Sequence, residues 1–445
     1  MTRMLKTTIK ELGAGLILRR SSSDDADALA AFCGEIHSEE AGTSDLMIVA
    51  WTRDLLTRPH PRFHPDDFTI VEEISTGRIV STLNLISQTW TYDGIPFGVG
   101  RPELVGTLPE YRNRGLVRLQ FDEIHRWSAE RGELVQAITG IPFYYRLFGY
   151  EMALDLDGWR SGFEVNVPPA PHTGQEQYTF RFAREADLPF IAAVYQHGHS
   201  RYPITCLRDE AIWHYELLGR DPLVTQILLI IEDRAGQPLG VIRHLPEVNR
   251  NGSVTITMYE LKPGVSWLDV TPAVIRHIWA VGKEYARRDG RACNRFAFAL
   301  GEAYPVYDAF RERLPKIQQS YAWYLRVSDL PRFLMEIAPA LEHRLSASVA
   351  VGYTGELRMS FYRNGLRWVF DRGRLTTVQP WTPGQREQEG DIAFPGLTFL
   401  QLLFGYRSLD DLRNSFADCW WNSNEIRALM DALFPKKPSQ VIGLS

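Results

Sequence analysis

The apolar positions of the chain fall into short runs and one well-spaced helical stripe. Residues 116–131 place Leu116, Val117, Phe121, Ile124 and Trp127 near a 3.6-residue period, which predicts an amphipathic helix ended by Gly132. Ahead of it, runs at 16–18, 68–73, 79–85 and 99–107 predict strands, with a turn at Thr76-Gly77. Ser23, Asp24 and Asp25 cap a helix expected to reach about residue 37, and a second helix covers 44–56. Pro59, Pro61 and Pro65 mark a loop. A strand at 134–138, a short helix at 144–147 and a strand at 150–156 close the block. Strands with helices on both sides of a mixed sheet make an α/β layer fold.

After Val167-Pro168-Pro169-Ala170-Pro171 the pattern starts again. Strands are expected at 178–182, 227–232, 240–244 and 254–261. One helix is opened by Asp187-Leu188-Pro189, a tight turn spans 249–252, and another helix runs from about 272 to 287 and stops at Gly290. Residues 132–148 and 290–310 share a plan of glycine, strand and Tyr-x-x-Phe, as Tyr145 with Phe148 and Tyr307 with Phe310. The two lie roughly 160 residues apart, which suggests a structural duplication. Beyond residue 328 a third pattern begins. It has helices at 330–345, 397–405 and 423–434, strands at 348–353, 356–362, 367–370 and 375–379, and a hairpin signal at Asn364-Gly365.

Composition narrows the possibilities. A chain of 445 residues, 44% hydrophobic and 23% charged, is ordinary for a globular protein of about three domains. A net charge of −5 gives no basic field for nucleic acid. No run of about 18 apolar residues predicts a membrane span, and residues 1–10 lack the apolar core of a secretory signal. Cys33, Cys206, Cys293 and Cys419 are dispersed, with no Cys-x-x-Cys or Cys/His cluster for a metal. They read as buried apolar residues in a reducing compartment, so a cytoplasmic location is expected. His197-Gly198-His199 is a weak metal signal and reads as a helix-end loop.

The chemistry centres on residues 105–118. A strand passes through Pro109 into a basic, glycine-bearing loop and then into the amphipathic helix. The first amides of a helix lack intrahelical acceptors, and its dipole puts partial positive charge there. Arg112, Arg114 and Arg118 can add charge-assisted bonds to a pyrophosphate. No Gly-x-x-x-x-Gly-Lys-[Ser/Thr] occurs, and Gly98-Val99-Gly100 lacks the third glycine of a dinucleotide loop. The segment Arg112-x-x-Gly115-x-Val117 resembles the R/Q-x-x-G-x-G/A loop of GNAT acetyltransferases, with Val at the last position. The corresponding tract 262–271 has no arginine and carries Asp269, which would repel a phosphate, so the second copy is expected not to bind coenzyme.

The basic loop, the Tyr-x-x-Phe-Gly-Tyr at 145–150 and the repeat followed by a third domain together resemble the Eis-type (enhanced intracellular survival) branch of the GNAT acetyltransferases. The resemblance implies two tandem GNAT folds with mixed, mostly antiparallel sheets at 1–165 and 166–327. A sterol-carrier-protein-like α+β domain at 328–445 would follow, and residues 402–409 and 433–438 are typical of it. It implies acetyl-CoA as co-substrate, a small-molecule primary amine as acceptor, no metal and a homo-oligomer such as a hexamer. Val105, Gly106, Thr107, Arg112, Asn113, Arg114, Gly115, Leu116 and Val117 would hold the coenzyme. Tyr145 matches the tyrosine that protonates the leaving thiolate, with Tyr144 as rival. The base would be the C-terminal carboxylate of Ser445, or Glu103 on the strand entering the loop. Glu35, His37, Glu39, Glu40 and Asp45 would crowd the acceptor side. The competing reading is a non-catalytic acyl-CoA- or lipid-binding protein on the same scaffold.

Overall fold

The computed structural model describes residues 8–40, 42–171, 175–384 and 390–444. In chain order it opens with β1 (Thr8–Gly13), β2 (Leu16–Arg20), α1 (Ala26–Ile36), α2 (Leu46–Thr57), β3 (Phe68–Glu73), β4 (Arg78–Tyr92), β5 (Ile95–Thr107), α3 (Leu116–Glu130), β6 (Val135–Ile138) and β7 (Glu151–Leu156). Then come β8 (Trp159–Phe163), β9 (Thr179–Phe182), α4 (Leu188–His199), β10 (Ile204–Cys206), α5 (Glu210–His214), β11 (Ile227–Glu232), β12 (Pro238–His244), β13 (Ser253–Leu261), α6 (Trp267–Asp289), β14 (Arg295–Phe298), α7 (Pro305–Ala309), β15 (Lys316–Gln318) and β16 (Tyr321–Val327). The last part holds α8 (Leu330–Glu336), α9 (Ala338–Ser346), β17 (Gly355–Ser360), β18 (Gly365–Asp371), β19 (Arg374–Trp381), β20 (Ile392–Ala393), α10 (Phe399–Leu403), α11 (Leu409–Ser415), β21 (Trp420–Trp421) and α12 (Asn424–Leu433).

The fold is mixed α/β, and the described residues divide into two compact units. One lies within 1–154, 203–206 and 322–445, the other within 155–202 and 207–321. The first unit carries a mostly antiparallel sheet in the order β1-β2-β3-β4-β5-β6-β16-β7, with β10 pairing β4, and a five-stranded sheet β19-β18-β17-β20-β21. The second carries β15-β8-β14-β13-β12-β11-β9. Each large sheet contains a parallel pair, β5 with β6 and β13 with β14. Beside that pair lies β16 in the first sheet and β8 in the second. The boundaries expected at 165/166 and 327/328 therefore do not follow the sheets. Segment 1–165 ends in a strand of the second sheet, and segment 166–327 ends in a strand of the first.

Alternating burial explains how the first sheet takes helices on both faces. Leu83 and Leu85 point to the stripe of α3, where Phe121, Ile124 and Trp127 are fully buried. Leu18, Ile70 and Ile86 point the other way, to Leu29 and Phe32 of α1 and Leu55 and Leu56 of α2. Each such side chain contributes roughly 1.5–3 kcal/mol through burial.

Several elements differ from the sequence expectation. Strands β4 and β5 are far longer, joined at Asp93-Gly94, where both residues have positive φ (45° and 85°) as a two-residue hairpin turn demands. Residues 348–353 form successive turns instead of a strand, with Val351 N–H donating to Ser348 and Tyr353 N–H to Ala350. The helix at 330–345 is two helices, broken at Ile337 just ahead of the first-turn Pro339. Helix α6 starts at Trp267, not Pro272, because Ser266 caps it. The Asn364-Gly365 hairpin forms, pairing Ser360 with Gly365. All four cysteines are buried, and none of them is in a disulfide among the described residues.

Candidate active site

Strands β5 and β6 pair at Val99/Val135 and Gly100/Gln136. Beyond these pairs a cavity of about 760 Å³ opens, lined by residues 103–107 of β5 on one side and by 138–141 on the other. A β-bulge shapes the first wall: pairing of β4 with β5 shifts register between Thr82/Gly106 and Asn84/Glu103. Within it Leu104 stands at φ +53°. A left-handed leucine costs roughly 1–2 kcal/mol. It is held there by burial in the apolar cluster beneath α1 and α2. Bulges of this kind re-aim side chains and end regular pairing.

The loop leading to α3 supplies the second feature. After the short turn Pro109–Tyr111, Asn113 (φ +61°) and Gly115 (φ +75°) take left-handed conformations that Asn and Gly tolerate best. Gly115 is the N-cap residue and so offers no side-chain cap. Among the described residues, no acceptor is recorded for the amides of residues 113–118. The arginines are held by carbonyls, not by carboxylates: Arg112 Nε donates to Thr107 O at 3.3 Å and Arg118 Nη1 to Leu147 O at 3.2 Å. Arg112 and Arg118 line the cavity, and neither forms an ion pair among the described residues. Arg114 is not among the lining residues. Its guanidinium sits 4.7 Å over the Tyr111 ring and donates to Glu110 O at 3.0 Å.

Gly106 lines the cavity, but its lack of a side chain serves packing: a Cβ there would come within 2.8 Å of Ile36 Cγ2 and 3.2 Å of Phe32. The glycine lets α1 lie close on β5. Gly115, by contrast, has open space around the position of a Cβ, so its role is its positive φ.

Tyr145 lies in the short helix Tyr144–Phe148 and is 4% exposed. Its ring packs edge-on against Tyr144, Tyr324 and Phe121. Among the described residues its hydroxyl has no recorded hydrogen bond, and it borders the cavity. Burial, reinforced by the Glu103 charge, pushes the phenol well above its ordinary value, so it stays protonated. The segment ahead of it is fixed by Phe143 N–H, which donates to Tyr324 Oη at 2.6 Å.

Glu103 lines the same cavity and is paired with Arg101 Nη2 at 2.5 Å. Arg101 also donates through Nη1 to Leu444 O at 2.5 Å and sits 5.2 Å over Trp323. Gln88 Nε2 donates to the same carbonyl at 3.2 Å, and Leu444 is buried. Ser445 lies outside the described residues. The structure thus gathers Glu103, Val105, Gly106, Thr107, Arg112, Asn113, Gly115, Leu116, Val117 and Tyr145 around one cavity and leaves Arg114 aside. Sequence reasoning missed Arg101 as the link to Leu444, and Tyr324, which arrives from a strand about 180 residues away in sequence. Only the long-range strand pairing of β16 with β6 could have revealed the second. Of the acidic acceptor-side residues, Glu35 is exposed and Asp45 caps α2 through Met47 N–H and Ile48 N–H; His37 lines the cavity.

Residues 21–153 match the family model described as an acetyltransferase (GNAT) domain. This segment is a GNAT acetyltransferase domain. It spans α1 to β7 and contains the whole cavity wall from β5 to Phe148, so the chain is an acyltransferase. No curated protein matches the sequence. Among solved structures, a conserved protein of unknown function from Enterococcus faecalis V583, described as a probable N-acyltransferase, is similar at a TM-score of 0.69 and 12% identity, over 97% of this chain and 100% of that one. A GCN5-related N-acetyltransferase from Kribbella flavida is similar at 0.62 and 16%, over 97% and 98%. Eis1 from Mycobacterium abscessus is similar at 0.56 and 14%, over 96% and 99%. At these identities the likeness, which runs over nearly the whole chain, shows the fold alone. Among the described residues no helix is long and apolar enough to cross a membrane.

Proposed function

We propose that this acyltransferase moves the acetyl group of acetyl-CoA to a primary amine, such as a polyamine, an aminoglycoside-like amine or a lysine amine, by direct attack. The observation that carries the reading is the single cavity joining the uncapped start of α3 to Tyr145 and Glu103. The amides after Gly115, with Arg112 and Arg118, receive the pyrophosphate. The edge of β5 at Val105 to Thr107 receives the pantetheine arm. The amine nitrogen bonds to the thioester carbon as the carbon–sulfur bond breaks. Glu103 takes one proton from the ammonium before attack; as the sulfur leaves, Tyr145, protonated at neutral pH, gives it a proton, and the second N–H proton of the acylated nitrogen restores Tyr145. Ser445 is the rival base, and deletion of residues 444–445 set against Glu103→Gln separates the two.

The test is thiol release from acetyl-CoA with a panel of polyamines and aminoglycosides. Amine-dependent release is expected. Tight coenzyme binding without turnover on any amine would overturn the reading in favour of a non-catalytic acyl-CoA-binding protein.

A further inference from the structure

Resting on the assignment of Tyr145 as the acid, we propose that Tyr324 is its positioning residue: the Tyr324 hydroxyl clamps the loop 139–143 and so keeps Tyr145 set against the cavity. Tyr324 is fully buried on β16, where it pairs in register with Ile138, the last residue of β6. The backbone of β16 therefore grips the chain where the loop leaves the sheet. The Tyr324 side chain reaches the far end of the same loop, where Phe143 N–H donates to Tyr324 Oη at 2.6 Å. Between these two holds, residues 139–141 line the cavity.

The loop needs such a hold. Phe143 stands at φ +68°, a left-handed conformation that a bulky residue avoids because of its Cβ. Strain of this kind persists only where the surroundings fix it, and it gathers at functional sites. The Phe143 ring is exposed, so burial of the side chain does not fix it. Phe143 O accepts from Arg146 N–H at 3.1 Å, and the Arg146 guanidinium lies 5.8 Å over the Phe143 ring. Both contacts come from the short helix that the loop introduces. Neither ties the loop to the sheet, whereas the Tyr324 hydroxyl does.

Loop and acid are in contact. The Tyr145 ring packs edge-on against Tyr324, with centroids 5.5 Å apart. A Cβ on Gly140 would stand 3.5 Å from Tyr145 Oη, and glycine is the residue that takes the φ of +118° found there. The loop backbone is thus the wall beside the hydroxyl. Among the described residues Tyr145 Oη has no recorded hydrogen bond, so packing directs it. Released from Tyr324, Phe143 can relax towards negative φ, which moves the Gly140 wall and loosens the acid. Tyr324 thus acts through Tyr145, not on the substrate itself.

Two measurements on the full chain decide it, both with Tyr324→Phe, which keeps the buried ring and removes only the hydroxyl. Amide hydrogen exchange across 139–144 should quicken about tenfold in the variant. Unaltered exchange overturns the clamp, and this arm needs no turnover. With an accepted amine, kcat should fall about tenfold while KM for acetyl-CoA stays within about twofold. The same substitution made in Tyr145→Phe should change kcat by less than about twofold, since no acid is left to position. A general loosening of the fold would lower kcat alike in both backgrounds and raise KM. That result, or an unchanged kcat in Tyr324→Phe alone, rejects the role. A wild-type chain that turns over no amine sinks the acetylation reading and this role with it, and the exchange arm then judges the clamp alone.

Discussion

Helices α3 and α6 occupy equivalent places, each following the strand that forms the parallel pair of its sheet, yet they begin in opposite ways. Helix α3 starts from a left-handed glycine with no side-chain cap, no acid in its first turn and two cavity-lining arginines. Helix α6 starts from Ser266, whose Oγ accepts from Asp269 N–H at 3.3 Å, and Asp269 adds negative charge to that turn. The strands differ too. Pairing of β5 with β6 is recorded at two positions, whereas β13 and β14 pair over four, from Ser253 to Ile256. Tyr259 of β13 packs with Trp267 and Tyr304, the Tyr259 and Trp267 ring centroids 4.7 Å apart and those of Trp267 and Tyr304 6.0 Å. Tyr304 donates to Tyr259 O at 2.7 Å and to Glu260. One architecture thus leaves the start of one helix bare beside a cavity, and fills the same place in the other with serine and aromatic rings.

The sharpest way to break this comparison is to reverse the charge of the bare helix start. Arg112→Glu with Arg118→Glu should weaken acetyl-CoA binding by about 10²–10⁴-fold, as two charge-assisted bonds at roughly 1.5–3 kcal/mol each are lost. Lys262→Glu, before α6, should leave binding unchanged. Calorimetry reads both, and equal losses in the two variants would mean that the second unit holds the coenzyme. Arg114→Ala should cost far less, given where its guanidinium points.

Much of this contrast was legible in the sequence. The arginines, Gly115 and the stripe of α3 are local signals, and so is the Asp269 that marks the closed copy. What stayed hidden depends on distant contacts. Glycine at 106 looked like a ligand-approach position, but its reason is Ile36, placed by the fold. The strand at 159–163 carries no mark of the sheet it joins, because strand membership is set by pairing across more than 100 residues. The turns at 348–353 follow a helix end whose apolar residues mimic a strand run.

A smaller effect separates the two tyrosines of the repeated Tyr-x-x-Phe. Tyr145→Phe should reduce kcat about 10²-fold with little change in coenzyme affinity. Tyr307 is locked: its hydroxyl donates to Phe298 O at 2.7 Å and accepts from Leu300 N–H at 3.1 Å. Tyr307→Phe should therefore spare turnover and destabilise by about 1–3 kcal/mol, since a buried N–H loses its acceptor. Thermal melts and steady-state rates on both variants check the pair, and unchanged turnover in Tyr145→Phe would remove that residue as the acid.

The smallest effect concerns what the two helices share. Each carries a histidine in its third turn, His125 on α3 and His277 on α6. Burial lowers His125 to about 3, with Arg326 adding to the shift, and lowers His277 to about 4, with His244 adding. Both rings are neutral in the folded chain, whereas an unfolded histidine takes a proton near pH 6.5. Between pH 6.5 and those folded values the unfolded state binds more protons, so stability is full above pH 6.5 and falls as pH drops through that window. At 1.36 kcal/mol per unit, each histidine accounts for at most roughly 2 kcal/mol of loss by pH 5. His125→Gln keeps a polar group against Tyr150, whose hydroxyl shares a 2.8 Å hydrogen bond with His125 Nε2. Its melting temperature should consequently depend less on pH between 7 and 5, and His277→Gln should do the same. An unaltered slope in both would place the acid sensitivity elsewhere. A flattened slope in both, with coenzyme affinity untouched, would show that the helices kept a common packing chemistry while only their first turns diverged.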